Sequence, residues 1–336
     1  MSSLISTGTY QSTAPLLQHE SLLKPVDAFV SRCGKRIRQA LVQCAFEIAG
    51  GEGVVPVCLS SSIEMLHAGS LVIDDIQDDS STRRGRPTLH RDLGVPLAIN
   101  AGNWMYFDAL HQLTTSALKP RMRGQLLSRM VAAGKRCHEG QACDLAARID
   151  KLPTSKFYPV VRCISREKTG CLVSLAMQFG AIAAAADRDT RRMLARFGMQ
   201  IGVALQMRND LDELLSLIRD PYETLRSDDL RNARVTWPWA WMAMHGNPLQ
   251  TQRLIDQTSR AADDPEALVH VAKALLSVVY SPGNKIIGRR IERELDRLRP
   301  VAINETAIEA MTIALQPISM AGNHPIATEP AHVHRV

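Results

Sequence analysis

Four aspartates, Asp74, Asp75, Asp78 and Asp79, fall within six residues behind the apolar run Leu71-Val72-Ile73. On a helix, Asp74 and Asp78 lie one turn apart on one face, and Asp75 stands i,i+3 to Asp78. His67, seven residues before Asp74, lies two turns down that same face. Like charges at this spacing repel, and taking them out of water costs more. Such a group at the mouth of a buried helix needs positive charge. A hard divalent cation is the natural partner, because carboxylate oxygens suit magnesium, which keeps several waters and shares its ligands with substrate phosphates. The spacing predicts metal binding by Asp74, Asp75 and Asp78, and a solvated helix end at Asp79.

A second polar face combines Gln206, Asn209, Asp210 and Glu213 at helical spacing, among apolar Ile201, Val203, Leu205, Leu211, Leu214 and Leu215. Asp212 points off it. These residues read either as further metal ligands or as a solvated face. Arg83-Arg84-Gly85-Arg86 follows the first cluster, and its arginines are either surface charge or phosphate binders. Gln141 and Asp144, and Lys168-Thr169-Gly170 on another helix, read as satisfied core polar groups or helix ends.

These side chains need helices to place them. Apolar residues recur with helical period over 36–49, 57–79, 95–117, 121–148, 155–185, 188–219, 234–245, 249–261, 266–280 and 283–298. Pro56, Pro96, Pro120, Pro153 and Pro248 mark starts or ends, and Gly50-Gly51 closes one helix. No strand precedes Gly50-x-x-Gly53, which reads as a helix C-cap loop rather than a phosphate cradle. The fold class is therefore all-α, a single large helical bundle, and sites in such bundles form where facing helices converge. Residues 1–16 are Ser/Thr-rich and read as disordered, as does the Pro-, His- and Gly-rich tail 317–336. No linker or repeat divides residues 17–316, which read as one domain.

The 336 residues are 45% apolar, 22% charged and 4% aromatic, which excludes a wholly disordered chain, a collagen and a coiled-coil rod and disfavours an all-β fold. The net charge of +6 suits an anionic ligand, but acids interleave the bases and aromatics are few, so no nucleic-acid surface is expected. Seven cysteines without a Cys-x-x-Cys pair argue against a disulfide framework or structural zinc and for a reducing compartment. No secretory signal or membrane span is legible, so the expected location is cytoplasmic and the Asn304-Glu305-Thr306 sequon carries no meaning.

Taken together, the segments resemble the trans-isoprenyl diphosphate synthases, and most closely the geranylgeranyl diphosphate synthases. DDIQDDSSTRRGRPTLH at 74–90 is similar to the first aspartate-rich motif, DDxxD, with its following Arg-Arg-Gly. GKRIR at 34–38, EMLHAGSLVIDD at 64–75, GQACDL at 140–145 and Lys168-Thr169 resemble further family segments in the same order. The resemblance implies the isoprenoid synthase fold, a homodimer, and prenyl transfer between isopentenyl diphosphate and an allylic diphosphate with Mg2+, three ions with substrate bound. It implies that Lys35, Arg38, His67 and Arg84 hold the isopentenyl diphosphate. Asp74, Asp75 and Asp78 would bind magnesium that bridges to the allylic diphosphate. Arg83, Lys168, Thr169, Gln206 and Arg234 would lie near that diphosphate, and Asn209, Asp210 and Glu213 would hold the remaining magnesium.

The second motif departs from the family's DDxx(D/N), having Asn209 for the first aspartate and Glu213 at the last position. DLRNARVTWP at 229–238 has Ala233 for the family's glycine and Arg234 for its lysine, and Leu225 stands where a lysine is usual. Gly69 and Ser70, small residues about one turn below Asp74, predict a tunnel that passes fifteen carbons, with a C20 product expected. A terpene cyclase of the same fold and a non-catalytic regulatory subunit are the alternatives. Persistence of the isopentenyl pocket favours condensation over cyclisation.

Overall fold

A computed structural model of the chain describes residues 14–32, 37–83, 85–219, 228–261, 264–303 and 305–319. The chain enters through α1 (Ala14–Gln18), a π-helical turn (His19–Leu23) and α2 (Lys24–Arg32), followed by α3 (Ile37–Ile48) and α4 (Val57–Gln77). A hairpin of β1 (Thr82–Arg83) and β2 (Arg86–Pro87), then α5 (Leu89–Leu93), lead to α6 (Val95–Thr114) and α7 (Pro120–Ala146). α8 (Phe157–Ile164) and α9 (Cys171–Ala183) are joined by a second π-helical turn, Ser165–Gly170. The rest is α10 (Arg188–Arg219), α11 (Asp228–Arg231), α12 (Trp237–His245), α13 (Pro248–Arg260), α14 (Pro265–Leu298) and α15 (Glu305–Ser319). The all-α expectation holds, with the short hairpin as a local exception.

Two close approaches bring the site-bearing elements together. A Cβ on Gly69 of α4 would stand 2.8 Å from the Gly102 carbonyl oxygen of α6, so these helices touch backbone to backbone. A Cβ on Gly202 of α10 would stand 2.5 Å from Gly170 Cα, which presses the second π-helical turn against the middle of α10. Around these contacts the core is contiguous, with Trp237, Trp239 and Trp241 of α12 among its largest fully buried side chains.

Three differences from the periodicity reading have physical causes. The segments 266–280 and 283–298 form one helix, α14, with Pro282 inside it. Pro removes a helical hydrogen bond, but Gly283 is pressed against the Trp241 ring, where an added Cβ would meet Cζ3 at 2.6 Å, and tertiary packing keeps the axis continuous. The span 155–185 is broken by the Ser165–Gly170 turn. α15 buries Ala307, Ile308, Met311, Leu315 and Ile318, and runs through Pro317 to Ser319, into the segment whose composition reads as a tail. Among the described residues, no helix is long and apolar enough to cross a membrane.

Candidate active site

The ends of α4, α7, α10 and α15, the second π-helical turn and the 229–236 segment enclose a cavity of about 1000 Å³. Both aspartate clusters face it. Asp74 on the last turns of α4 accepts from Lys168 Nζ (3.0 Å) and from Gln141 Nε2 (2.7 Å). Lys168 also donates to Asp144 Oδ2 at 2.8 Å. Burial pushes the Asp74 carboxyl up, but Lys168 and its other donors overcome this and hold it below the ordinary value. Burial disfavours the Lys168 ammonium, but Asp74 and Asp144 outweigh that and raise it above a normal lysine. The π-helical turn makes this arrangement possible by turning both Lys168 and Thr169 toward the cavity.

Asp78 and Asp75 diverge. Asp78, at the C-cap of α4, lines the cavity and accepts from Arg234 Nη2 at 2.9 Å. Its carboxyl is pushed up to about 6, by burial first and then by the Asp74 charge, against the opposing pull of Arg234. Asp75 is 1% exposed and is not among the cavity-lining residues. Arg83 grips it, with Nε at 2.8 and 2.9 Å and Nη2 at 2.5 Å. Asp79 is the solvated end, with its side chain 74% exposed beside Arg91.

On the opposite wall, Thr169 donates its hydroxyl to Gln206 Oε1 (2.5 Å), and Gln206 donates to Asp210 Oδ1 (2.8 Å). The backbone N–H of Trp237, at the start of α12, donates to the other Asp210 oxygen at 2.9 Å. Burial pushes Asp210 up to about 7 in spite of these donors, and the Glu213 charge adds to the rise. Glu213 lines the cavity and accepts from the backbone N–H of Asp229 at 3.2 Å. Asn209 is an exposed residue on the cavity wall.

Arg38 and His67 share the cavity, and Arg38 pairs with Glu64 at 3.3 Å. Lys35 and Arg84 lie outside the described residues. Ser70 lines the cavity, whereas Gly69 is fully buried against α6. Gly69 therefore serves helix packing.

Residues 19–275 match the model of the polyprenyl synthetase family. The chain belongs to that family. Over 254 residues it is 31% identical to the (2E,6E)-farnesyl diphosphate synthase of Mycobacterium tuberculosis, covering 73% of this chain and 67% of that one. Over 210 residues it is 33% identical to the geranylgeranyl diphosphate synthase of Sulfolobus acidocaldarius, covering 60% and 61%. Its fold is similar to that of the geranylgeranyl pyrophosphate synthetase from Pyrococcus horikoshii, at a TM-score of 0.73 and 24% identity over 92% of this chain and 96% of that one. The bundle is the isoprenoid synthase fold, and the family is one of prenyltransferases.

Three polar groups of this polyprenyl synthetase that the sequence reading does not assign to the site take part in it. Gln141 and Asp144, read as satisfied polar groups, are the second partners of Asp74 and Lys168, and GQACDL was the signal for both. Asp229 lines the same cavity and is raised well above the ordinary value, by burial first and then by Glu213, Asp210 and Asp144. Its signal was the DL that opens DLRNARVTWP. The Ala233 of that segment, where the family has glycine, adopts φ +51°, a left-handed conformation that costs a non-glycine residue about 1 kcal/mol.

The donor set fits magnesium. All the acidic ligands are oxygen donors, and Asp78, Asp210 and Asp229 are raised because buried carboxylates crowd one cavity. Among the described residues no three such groups already converge at ligand distance. Lys168 pairs with Asp74, and Arg234 with Asp78, of the first motif.

Proposed function

We propose that this polyprenyl synthetase condenses isopentenyl diphosphate with an allylic diphosphate, releasing diphosphate and forming geranylgeranyl diphosphate (C20) as its main product. One observation carries the reading: Asp74 and Asp78 face Asp210 and Glu213 across a cavity that also holds Arg38, His67 and Lys168. Asp74 and Asp78 from one wall, and Asp210 with Glu213 and Asn209 from the other, are the residues that would hold Mg2+. Bound there, Mg2+ supplies Lewis-acid stabilisation of the departing diphosphate.

The protein's own groups do the rest. Lys168 and Arg234, at the cavity beside Asp74 and Asp78, would supply positive charge to the departing diphosphate. Thr169 and Gln206 orient its oxygens. Arg38 and His67, with Lys35 and Arg84, hold isopentenyl diphosphate so that its double bond meets the allylic carbon. The apolar wall of Ile73, Leu172 and Val173 keeps water from the allylic cation. The proton lost at the end goes to the released diphosphate. Asp75 positions Arg83, holding it beside the cavity that Arg83 lines.

Product length is set by Tyr106. Its ring lines the cavity, stands 3.0 Å from where a Gly69 Cβ would lie and meets His138 edge-on with ring centroids 5.5 Å apart. Tyr106→Ala is expected to shift the main product beyond C20, read by mass analysis of dephosphorylated products. An unchanged profile would place the stop elsewhere.

A homodimer is proposed through α6 and α7. Phe107 and Val131 there are 73% and 58% exposed, and Ile99 is 41% exposed, an apolar face that a second copy would cover. Phe107→Glu is expected to convert the dimer to monomer in light scattering after size exclusion. A monomeric parent would refute this. The absence of any disulfide among the six described cysteines fits the proposed cytoplasmic location.

The decisive experiment incubates the purified chain with isopentenyl diphosphate, each allylic diphosphate in turn, and magnesium. Linear C20 alcohol after dephosphorylation supports the proposal. Cyclic hydrocarbon would mark a cyclase, and turnover only with a partner chain would mark a regulatory subunit.

A further inference from the structure

Two thiols meet directly beneath the groups that hold Asp74. Cys137 of α7 lines the cavity, while Cys171, the first residue of α9, is 3% exposed, and their sulfurs are 3.0 Å apart. The Cys171 thiol also donates to the Glu167 carbonyl at 2.6 Å, so it is fixed against the π-helical turn. One turn beyond Cys137 on α7 is Gln141, and three residues before Cys171 is Lys168; both donate to Asp74 Oδ1. α7 and the turn are already in backbone contact, since a Cβ on Gly140 would stand 2.7 Å from Lys168 N.

We propose that Cys137 and Cys171 form a peroxide-oxidisable dithiol that switches the site off. Cys137 reacts first because the cavity reaches its sulfur and the buried Cys171 is shielded. The Cys137 thiolate attacks the O–O bond of a hydroperoxide, giving Cys137 sulfenic acid and the corresponding alcohol, or water from hydrogen peroxide. The Cys171 sulfur then displaces the hydroxyl as water, forming one S–S bond. Two thiols lose two electrons and two protons, and the peroxide oxygen is reduced. A dithiol reductant reverses the change.

Closing the sulfurs from 3.0 Å to about 2.05 Å requires movement of roughly an ångström, by side-chain rotation or by the segments themselves. With the backbones already touching at Gly140, little of this can be absorbed by a simple approach of the two elements. The part of this movement that side-chain rotation does not supply twists α7 and the π-helical turn against each other and shifts Gln141 and Lys168 relative to Asp74, and a misplacement of about 1 Å can cost about 10²-fold in rate. Turnover as the readout rests on the proposed prenyl transfer, but the cross-link does not.

The test treats reduced, full-length protein with hydrogen peroxide, blocks free thiols with N-ethylmaleimide, and digests with trypsin. Expected is a joined pair of peptides, residues 137–148 and 169–188, at the mass of their sum less two hydrogens plus one N-ethylmaleimide on Cys143. Because Cys143 shares the first peptide, Cys143→Ser is run alongside and must give the same joined pair. Prenyl transfer should fall at least about tenfold and return with dithiothreitol. Cys137→Ser and Cys171→Ser, each compared with its own untreated rate, should resist peroxide. Absence of the joined pair, or its presence with the rate within about twofold of the reduced protein, overturns the proposal. A reduced protein that turns over no substrate pair would defeat the prenyl-transfer reading, and the peptide map would still decide whether the dithiol exists.

Discussion

Replacing Lys168 by methionine is expected to lower kcat by about 10²–10³-fold, with a much smaller change in the KM for isopentenyl diphosphate. Methionine keeps an unbranched side chain with much of the lysine's apolar bulk, so the loss reports the ammonium. That ammonium is held by Asp74 at 3.0 Å and Asp144 at 2.8 Å, with its side chain 27% exposed. Of the charged residues on the second π-helical turn it is the one that lines the cavity, and on the proposed mechanism it faces the diphosphate as the allylic bond breaks. Its interaction strengthens as negative charge gathers on the leaving group, so its removal is felt in the transition state more than in binding. The same change leaves Asp74 and Asp144 without a cationic partner in the free protein, and breaking such a pair costs about 3–5 kcal/mol when it is well buried; at this partial exposure the loss is smaller. Steady-state kinetics at saturating magnesium, with a thermal melt alongside, check both. A kcat within about threefold of the parent would remove Lys168 from the proposed mechanism.

The metal-free protein is expected to melt at a lower temperature at pH 8 than at pH 5.5, and Mg2+ with inorganic pyrophosphate should stabilise it more at pH 8. Burial, aided by neighbouring carboxylates, raises Asp78 to about 6 and Asp210 to about 7, and lifts Asp229 as well. In the unfolded chain these groups titrate near the ordinary aspartate value of about 3.9. Across the window between those values the folded state binds more protons than the unfolded one, so stability falls as pH rises through it. The destabilisation is absent below the ordinary value and grows as pH rises through about 6 for Asp78 and about 7 for Asp210. Asp74, whose value is lowered, has its full effect before this window begins. His90, lowered by burial, works in the opposite sense below its ordinary value, as one group against four, since burial raises Asp75 as well. Each kcal/mol moves the melting temperature of a chain of 336 residues by roughly 1–2 °C, so the expected difference is a few degrees. Metal binding requires the charged carboxylates and repays their repulsion, so its stabilisation grows with pH. A metal-free protein that is more stable at pH 8, or equal stabilisation by Mg2+ and pyrophosphate at both pH values, would mean that these carboxylates do not share an electrostatically crowded site.

Legibility differed between the two motifs for a physical reason. Asp74 and Asp78 lie one helical turn apart on α4, so a single helix fixes their common face, and both line the cavity. Asp75 has the same residue type and belongs to the same motif, yet it is turned to Arg83, which arrives from the hairpin beyond α4. Nothing in helical spacing reveals that partner. Gly69 and Ser70 are likewise equivalent by size and position, but the approach of α6 at Gly102 takes one of them into the helix interface and leaves the other on the cavity wall.

From the chain alone came the helical architecture, the family and the two acidic faces, because these depend on periodicity and on residue types repeated at turn spacing. Only the tertiary structure decided which acids are held by which bases. It carried Lys168, 94 residues from Asp74 in the chain, and Arg234, 156 residues from Asp78, to within hydrogen-bonding distance of them. It also set Trp237 against Asp210 and joined 266–280 and 283–298 into one helix. Pairings of that kind are made by packing between segments distant in sequence, where a shift of one helix by an ångström changes the partner without altering any local pattern.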